Sequence, residues 1–222
     1  DDPRNKLYLS YIRLVDELQP KAFIIENVPG LVSLFKGKIK DSIVERLTNT
    51  GYNISFEVLL ASDYGVPQNR KRVFFVGLKK GFFDFKELKK TNKVITSKMA
   101  ISDLPSLENS LGGDVMEYET EPKNEYQQLM RSESNRIYNH VGTNHTNRVR
   151  DIIALVPDGG NFKDLPVELQ GTRNFNVAWT RYDSEKPAPT VDTGHRHHFH
   201  YKYNRVPTVR ESARLQSFPD NF

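Results

Sequence analysis

The segment Ala22-Phe23-Ile24-Ile25-Glu26-Asn27-Val28-Pro29-Gly30 decides how this chain is read. A short apolar run of this kind is a buried strand, as parallel strands are. It stops at a polar, turn-rich cluster. In open α/β sheets, ligands sit beyond the carboxyl ends of strands, so an acid and an amide at that point are candidate site residues. A carboxyl group in a partly dry cleft can stay protonated or share a proton with a ring nitrogen, which makes Glu26 the first candidate.

The flanks continue the α/β rhythm. Asp2-Pro3 has the form of an N-cap followed by proline at the first helical position. Leu7, Tyr11, Leu14, Val15 and Leu18 then recur at helical spacing, and Pro20 ends the helix. A second helix is expected over about 38–50, with Ile39, Ile43, Val44 and Leu47 inward and Gly51 closing it. Strands are expected from Ile54 to Leu60 and from Val73 to Leu78. After about residue 80 the periodicity fades, Gly, Pro, Asn and Ser become frequent, and segments 102–124 and 157–174 read as long polar stretches. One helix is expected at about 146–155. Another should start at Thr208, where Thr208 and Glu211 form a capping box, and run to about Gln216.

Composition bounds the function. The chain has 222 residues, no cysteine, a net charge of +4, and 37% hydrophobic against 27% charged residues. That is enough apolar material for a core. No run approaches the ~18 apolar residues of a membrane span. The first residues carry no basic-then-apolar lead and no Met, as expected of a chain that starts inside a larger reading frame. Without cysteine the 222 residues contribute no disulfide, no cysteine-ligated zinc and no thiolate nucleophile. The charge is segregated: residues 101–125 hold seven acids and one Lys, and residues 195–214 hold five Lys/Arg, one acid and four of the six histidines. Such segregation suits a protein with one DNA-facing side, and equally an ordinary solvated surface.

Two further clusters carry potential chemistry. In Gln68-Asn69-Arg70-Lys71-Arg72, an extended backbone would point Gln68, Arg70 and Arg72 one way and Lys71 the other. Two guanidinium groups on one face suit a phosphate or a base carbonyl. In His195-Arg196-His197-His198-Phe199-His200, no Asp or Glu lies beside the imidazoles. The cluster therefore reads as a solvated or DNA-facing segment rather than a metal site.

Taken in order, these motifs resemble the cytosine-5 DNA methyltransferases. The resemblance rests on Asp2-Pro3-Arg4-Asn5, on Pro20 to Leu31 with Glu26-Asn27-Val28, on Tyr64-Gly65-Val66-Pro67-Gln68-Asn69-Arg70-Lys71-Arg72, and on Arg210-Glu211-Ser212-Ala213-Arg214-Leu215-Gln216-Ser217-Phe218-Pro219. Weaker matches are Ala100 to Pro105, Pro157 to Gly160 and Arg181-Tyr182-Asp183 to Thr190. The resemblance covers nearly the whole chain. It implies an α/β fold in which residues 1–80 are the later part of a Rossmann-like, S-adenosylmethionine-dependent catalytic sheet. A loop-rich target-recognition lobe would follow at 81–205, and a supporting helix at 206–222 would return towards the catalytic domain.

The resemblance also implies roles. A cytosine is flipped out of double-stranded DNA, a thiolate adds to its carbon 6, and carbon 5 takes the methyl group. Glu26 corresponds to the acid that hydrogen-bonds the ring nitrogen and exocyclic amine, which eases thiolate addition. Asn27 and Val28 set the strand-end geometry. Arg72 corresponds to the group on the base carbonyl, Arg70 serves the neighbouring phosphate and orients Glu26, and Gln68 belongs to the same pocket edge. Leu7 resembles a position lining the adenine side of S-adenosylmethionine. Arg210, Glu211, Arg214 and Gln216 are architectural, with the charged members forming internal ion pairs. No metal is implied, no membrane is involved, and the setting is the bacterial cytoplasm, near the nucleoid, in a restriction–modification system.

The departures are equally specific. The family's glycine-rich cofactor loop, Pro-Cys nucleophile segment and asparagine-rich closing motif are absent from the 222 residues. The expectation is therefore a truncated form, a degenerate product, or one subunit of a split enzyme whose second polypeptide brings the cofactor loop and cysteine. In each case an open sheet edge and uncovered apolar surface are expected. A non-catalytic DNA-binding module is the alternative of a different class.

Overall fold

The structure, a computed structural model, describes residues 7–170, 179–192 and 198–222. Asp2-Pro3-Arg4-Asn5 and the histidine-cluster members His195, Arg196 and His197 lie outside the described residues. The chain divides into two compact units, residues 1–60 with 71–90, and residues 61–70 with 91–222.

In the first unit, α1 (Leu7–Leu18) leads into β1 (Ala22–Asn27), α2 (Gly30–Ser33), α3 (Lys38–Asn49), β2 (Asn53–Leu60) and β4 (Lys71–Leu78). The apolar spacing that predicts α1 and α3 does bury a stripe of each: Val15 from α1, and Ile43 and Leu47 from α3, pack with Phe23 and Tyr52. Burying side chains of this size contributes roughly 1.5–3 kcal/mol each. The sheet order is β1-β4-β2, with β4 antiparallel to both neighbours. So β1 and β2 run the same way, with β4 reversed between them. Phe23 pairs with Gly77 across the sheet, and its ring covers that glycine so closely that a Cβ there would lie 2.2 Å from it.

Among the described residues β1 pairs antiparallel, which corrects its reading as a parallel-type strand, and its other edge is the open edge expected above. Phe23 is buried, but Ile24 is 64% exposed. β1 pairs with β4 alone among the described residues, so its burial alternates as in a half-covered antiparallel strand rather than filling a continuous apolar run.

The second unit holds β3 (Gln68–Asn69), α4 (Ser97–Ile101), β5 (Gly112–Glu117), α5 (Glu125–Arg131), β6 (Arg136–Val141), α6 (Asn147–Ala154), α7 (Val167–Gln170), β7 (Thr180–Arg181), β8 (Ala188–Pro189), β9 (His198–Phe199) and α8 (Val209–Arg214). Its sheets are two-stranded: β5–β6 antiparallel, β3–β8 and β7–β9 parallel. Thr96, Asn124, Thr146 and Thr208 each cap a helix with a side-chain oxygen, and Thr208 with Glu211 makes the full capping box. One apolar core gathers Ile101, Leu104, Tyr126, Ile137 and Leu215; a second gathers Ile153, Val156, Phe162, Phe199 and Val206. The segment 102–124, read as a polar stretch, contains β5, whose partner β6 lies beyond α5. No short-range hairpin signal marks that pairing. Residues 206–222 fall in the same compact unit as residues 91–205.

Candidate active site and the ion network of the lobe

In the first unit, Glu26 sits opposite Phe74 on β4, and Arg72 is two residues before Phe74. The two therefore share a face and are diagonal neighbours, a spacing that long side chains bridge. Arg72 Nε lies 2.9 Å from Glu26 Oε1, with the side chains 19% and 44% exposed respectively. Arg72 also donates Nη1–H to the Lys71 carbonyl at 2.7 Å. Just past the strand, the Val28 N–H donates to Asn27 Oδ1 at 2.8 Å, which fixes the turn after Glu26. The result is a half-open carboxylate–guanidinium pair at a strand end, able to present an acceptor and a fork of donors to a flat polar ligand. Leu7 opens α1 and is 63% exposed.

The arginine motif is not one extended stretch, which corrects the expectation that Gln68, Arg70 and Arg72 share a face. The chain breaks at Arg70, whose N–H donates to the Gln68 carbonyl at 2.9 Å and whose carbonyl accepts from Ala61 N–H at 2.9 Å. Gln68 and Arg70 thus belong to the second unit, and Arg72 to the first. Gln68 is buried there, with Nε2 directed at the Leu215 carbonyl.

α8 carries the densest charge in the lobe. Arg214 is fully buried and bonds Asp220 at 2.6 Å through both Nε and Nη2, Asp103 at 3.0 Å through Nη1, and the Ala100 carbonyl. Arg131 adds a second cation on Asp103. Arg210 lies 3.6 Å from Asp220 and donates to the Tyr138 and Pro219 carbonyls. Glu211 takes a bidentate bond from Arg205 at 2.7 and 2.6 Å. Gln216 donates to the Ser212 carbonyl at 3.2 Å, finishing the helix. Arg210, Glu211 and Arg214 are therefore interior groups of the lobe.

Sequence reasoning did not single out Asp220 or His140, and it named Asp103 and Arg181 only within the weaker matches; His200, read as part of a solvated or DNA-facing cluster, is instead buried. Arg181 is buried and caps the end of α6, donating to the Ile153, Val156, His200 and Tyr203 carbonyls and to Asn204. His140 Nε2–H must donate to the Pro105 carbonyl, so Nδ1 accepts from the Thr208 hydroxyl. His200 Nδ1 accepts the N–H groups of Lys202 and Tyr203, and Nε2 lies 3.6 Å from Glu211. His198, the other described member of the cluster, instead stacks on Tyr182 at 5.4 Å. Among the described residues no group of three or more His, Cys, Asp or Glu could hold a metal ion.

Burial pushes His200 down to about 3, opposed only in part by Glu211 and reinforced by Arg205. It also pushes His140 below the ordinary 6.5, again against Glu211. Both imidazoles are neutral in the fold, and in the unfolded chain they titrate near 6.5. Unfolding therefore takes up protons below pH 6.5, and stability falls as the pH drops from there towards 3. The loss is at most about 1.4 kcal/mol per pH unit for each histidine. Burial opposes the charge on Glu211, but Arg205 outweighs it and holds the carboxyl at about 2. Glu211 therefore adds its own loss below about pH 4.5. The urea midpoint of the intact protein should fall steadily from pH 7 to pH 4.5, and a flat midpoint over that range would refute the neutral, buried histidines.

Comparison with known proteins places these features in one family. The profile of the C-5 cytosine-specific DNA methylases matches residues 1–222, and the chain belongs to that family. It is 40% identical over its whole length to the Type II methyltransferase M.DdeI of Desulfomicrobium norvegicum, covering 58% of that protein. It is 34% identical to the Type II methyltransferase M1.HphI of Haemophilus parahaemolyticus, covering 54% of it. The chain thus spans little more than half the length of the curated relatives it matches. A crystal structure described as a candidate DNA modification methyltransferase encoded within a prophage (E. coli) aligns with a TM-score of 0.76 at 28% identity, covering 99% of this chain and 65% of that one. The fold is the mixed α/β, Rossmann-like fold of methyltransferases. Among the described residues no helix is long and apolar enough to cross a membrane.

Proposed function

We propose that these residues are the later catalytic portion and recognition lobe of a DNA cytosine-5 methyltransferase of a bacterial restriction–modification system, acting in the cytoplasm on double-stranded DNA. The observation that carries this reading is the Glu26–Arg72 pair at 2.9 Å on the β1 and β4 strand ends. In this reading the Glu26 carboxyl group shares a proton with the ring nitrogen of an extruded cytosine and accepts from its exocyclic amine, while the Arg72 guanidinium donates to its carbonyl oxygen. Asn27 and Val28 hold the turn that ends β1. Arg70, on the lobe, serves a neighbouring phosphate. The Arg210–Gln216 helix holds the lobe together rather than touching DNA.

S-adenosylmethionine supplies the methyl group. Of this chain's residues, exposed Leu7 fits it, as an apolar contact for the adenine side. The rest of its site and the thiolate come from residues beyond these 222, on the same polypeptide or on a second one, because the 222 contain no cysteine. The test is transfer of a labelled methyl group from S-adenosylmethionine to duplex DNA by the intact protein, followed by nucleoside analysis for 5-methylcytosine. Label in that nucleoside supports the reading. Salt-steep DNA binding with no label would leave a non-catalytic DNA-binding module.

A further inference from the structure

Gln68 places a whole amide in the interior for one poor contact. The residue is 1% exposed. Its Nε2 donates to the Leu215 carbonyl at 3.5 Å, the long limit of a hydrogen bond, and no donor among the described residues reaches Oε1. An orphaned buried acceptor costs stability, and an apolar side chain of the same length would remove the cost. Folding alone thus gives little reason for glutamine here.

The two ends of the contact supply a reason. Leu215 is fully buried, and its N–H donates to the Glu211 carbonyl at 3.0 Å, so its own carbonyl is held by α8. At the other end, Gln68 is the hinge of a tight turn. Its N–H donates to the Val66 carbonyl at 2.7 Å, its carbonyl accepts from Arg70 N–H at 2.9 Å, and Arg70's carbonyl accepts from Ala61 N–H at 2.9 Å. The preceding Pro67 carbonyl accepts from Ala188 N–H at 2.9 Å, which begins the β3–β8 pairing. A shift of the Gln68 side chain would therefore rotate the peptide that aims Arg70. We propose that Gln68 is a positioning residue: its amide, pegged to the Leu215 carbonyl, registers the Gln68–Arg70 turn against α8. The buried ion network that fixes α8 thereby also fixes where Arg70 sits. The proposal rests on the reading of Arg70 as a substrate-contacting group and assigns Gln68 a role through it.

The test uses the intact protein with Gln68→Met and Gln68→Glu. For Gln68→Met, kcat should fall about tenfold or more, because small displacements of a positioning group are costly. KM for DNA should stay within about twofold and Tm should not fall. Hydrogen exchange of the Ala61 and Arg70 amides should quicken by about tenfold in the same variant, since both bonds hang on this turn. In Gln68→Glu, burial drives the carboxyl to its neutral form, whose O–H can still donate to Leu215. Its kcat should approach the wild-type value at low pH and decline as pH rises, a profile the wild type lacks. Gln68→Met with unchanged kcat and unchanged amide protection overturns the proposal. So does a fall in Tm that accounts for the whole loss of activity, which would make Gln68 merely structural. If the wild type transfers no methyl group, the proposed function fails, while the exchange rates still decide whether Gln68 couples α8 to the turn.

Discussion

Arg214→Met should cost the recognition lobe a large share of its stability. The guanidinium sits between two carboxylates, Asp103 and Asp220, with all three groups out of contact with solvent. Truncating it leaves Asp220 with Arg210 at 3.6 Å and the Tyr118 hydroxyl, and leaves Asp103 with Arg131 alone. Breaking a buried ion pair from one side costs about 3–5 kcal/mol, because the remaining charge is neither hydrated nor fully paired. A domain is stable by only about 5–15 kcal/mol in total. Tm of the intact protein should therefore fall by roughly 10 °C or more. Arg214→Lys should recover only part of the loss. An ammonium is a point charge and cannot span both carboxylates and the Ala100 carbonyl as the planar fork does. A Tm within about 2 °C of wild type for Arg214→Met would show that the network contributes no net stability.

How much of this was legible in the sequence differs by element. α8 was, because its start is a local chemical rule: Thr208 and Glu211 are three residues apart and satisfy each other's backbone donors whatever surrounds them. The internal character of Arg210, Glu211 and Arg214 came with the family resemblance, but their partners did not. Asp103 is 111 residues from Arg214, and no periodicity links the two. The same holds for His140, which meets Thr208 across 68 residues. β1 and its terminal Glu26 were legible because an apolar run cut by polar residues is a local signal. The reversal of β4 between β1 and β2 was not, since strand direction is set by the connections rather than by composition. The motif Gln68 to Arg72 misled for a related reason. Its residue types suit an extended strand, but hydrogen bonds at Arg70 to Gln68 and Ala61 break it and send its two halves into different units.

Glu26→Gln should show the opposite separation of stability from activity. The pair it forms with Arg72 is half open to water, and exposed ion pairs contribute about 0–1 kcal/mol. Tm should therefore change by no more than about 2 °C. Glutamine keeps the size and one acceptor but cannot carry the negative charge that holds a proton on the cytosine ring nitrogen. If Glu26 does that in the reaction, methyl transfer by the intact protein should fall by about 10²–10⁴-fold, the range for loss of a positioned acid–base group. The loss should appear in kcat, because the carboxyl group matters most as thiolate addition pushes negative charge onto the ring nitrogen, and DNA affinity should hold within a few fold since phosphates dominate it. Arg72→Lys should fall less steeply, keeping a cation near the base carbonyl while losing the fork that holds both base and carboxylate. The contrast with Arg214 is what makes the pair of variants decisive. One group is interior, and its removal should act first on the stability of the lobe. The other is at a strand end, and its removal should leave a folded, DNA-binding protein that transfers almost nothing. Normal turnover in Glu26→Gln would remove the strand-end carboxylate from the chemistry, whatever the family of the chain.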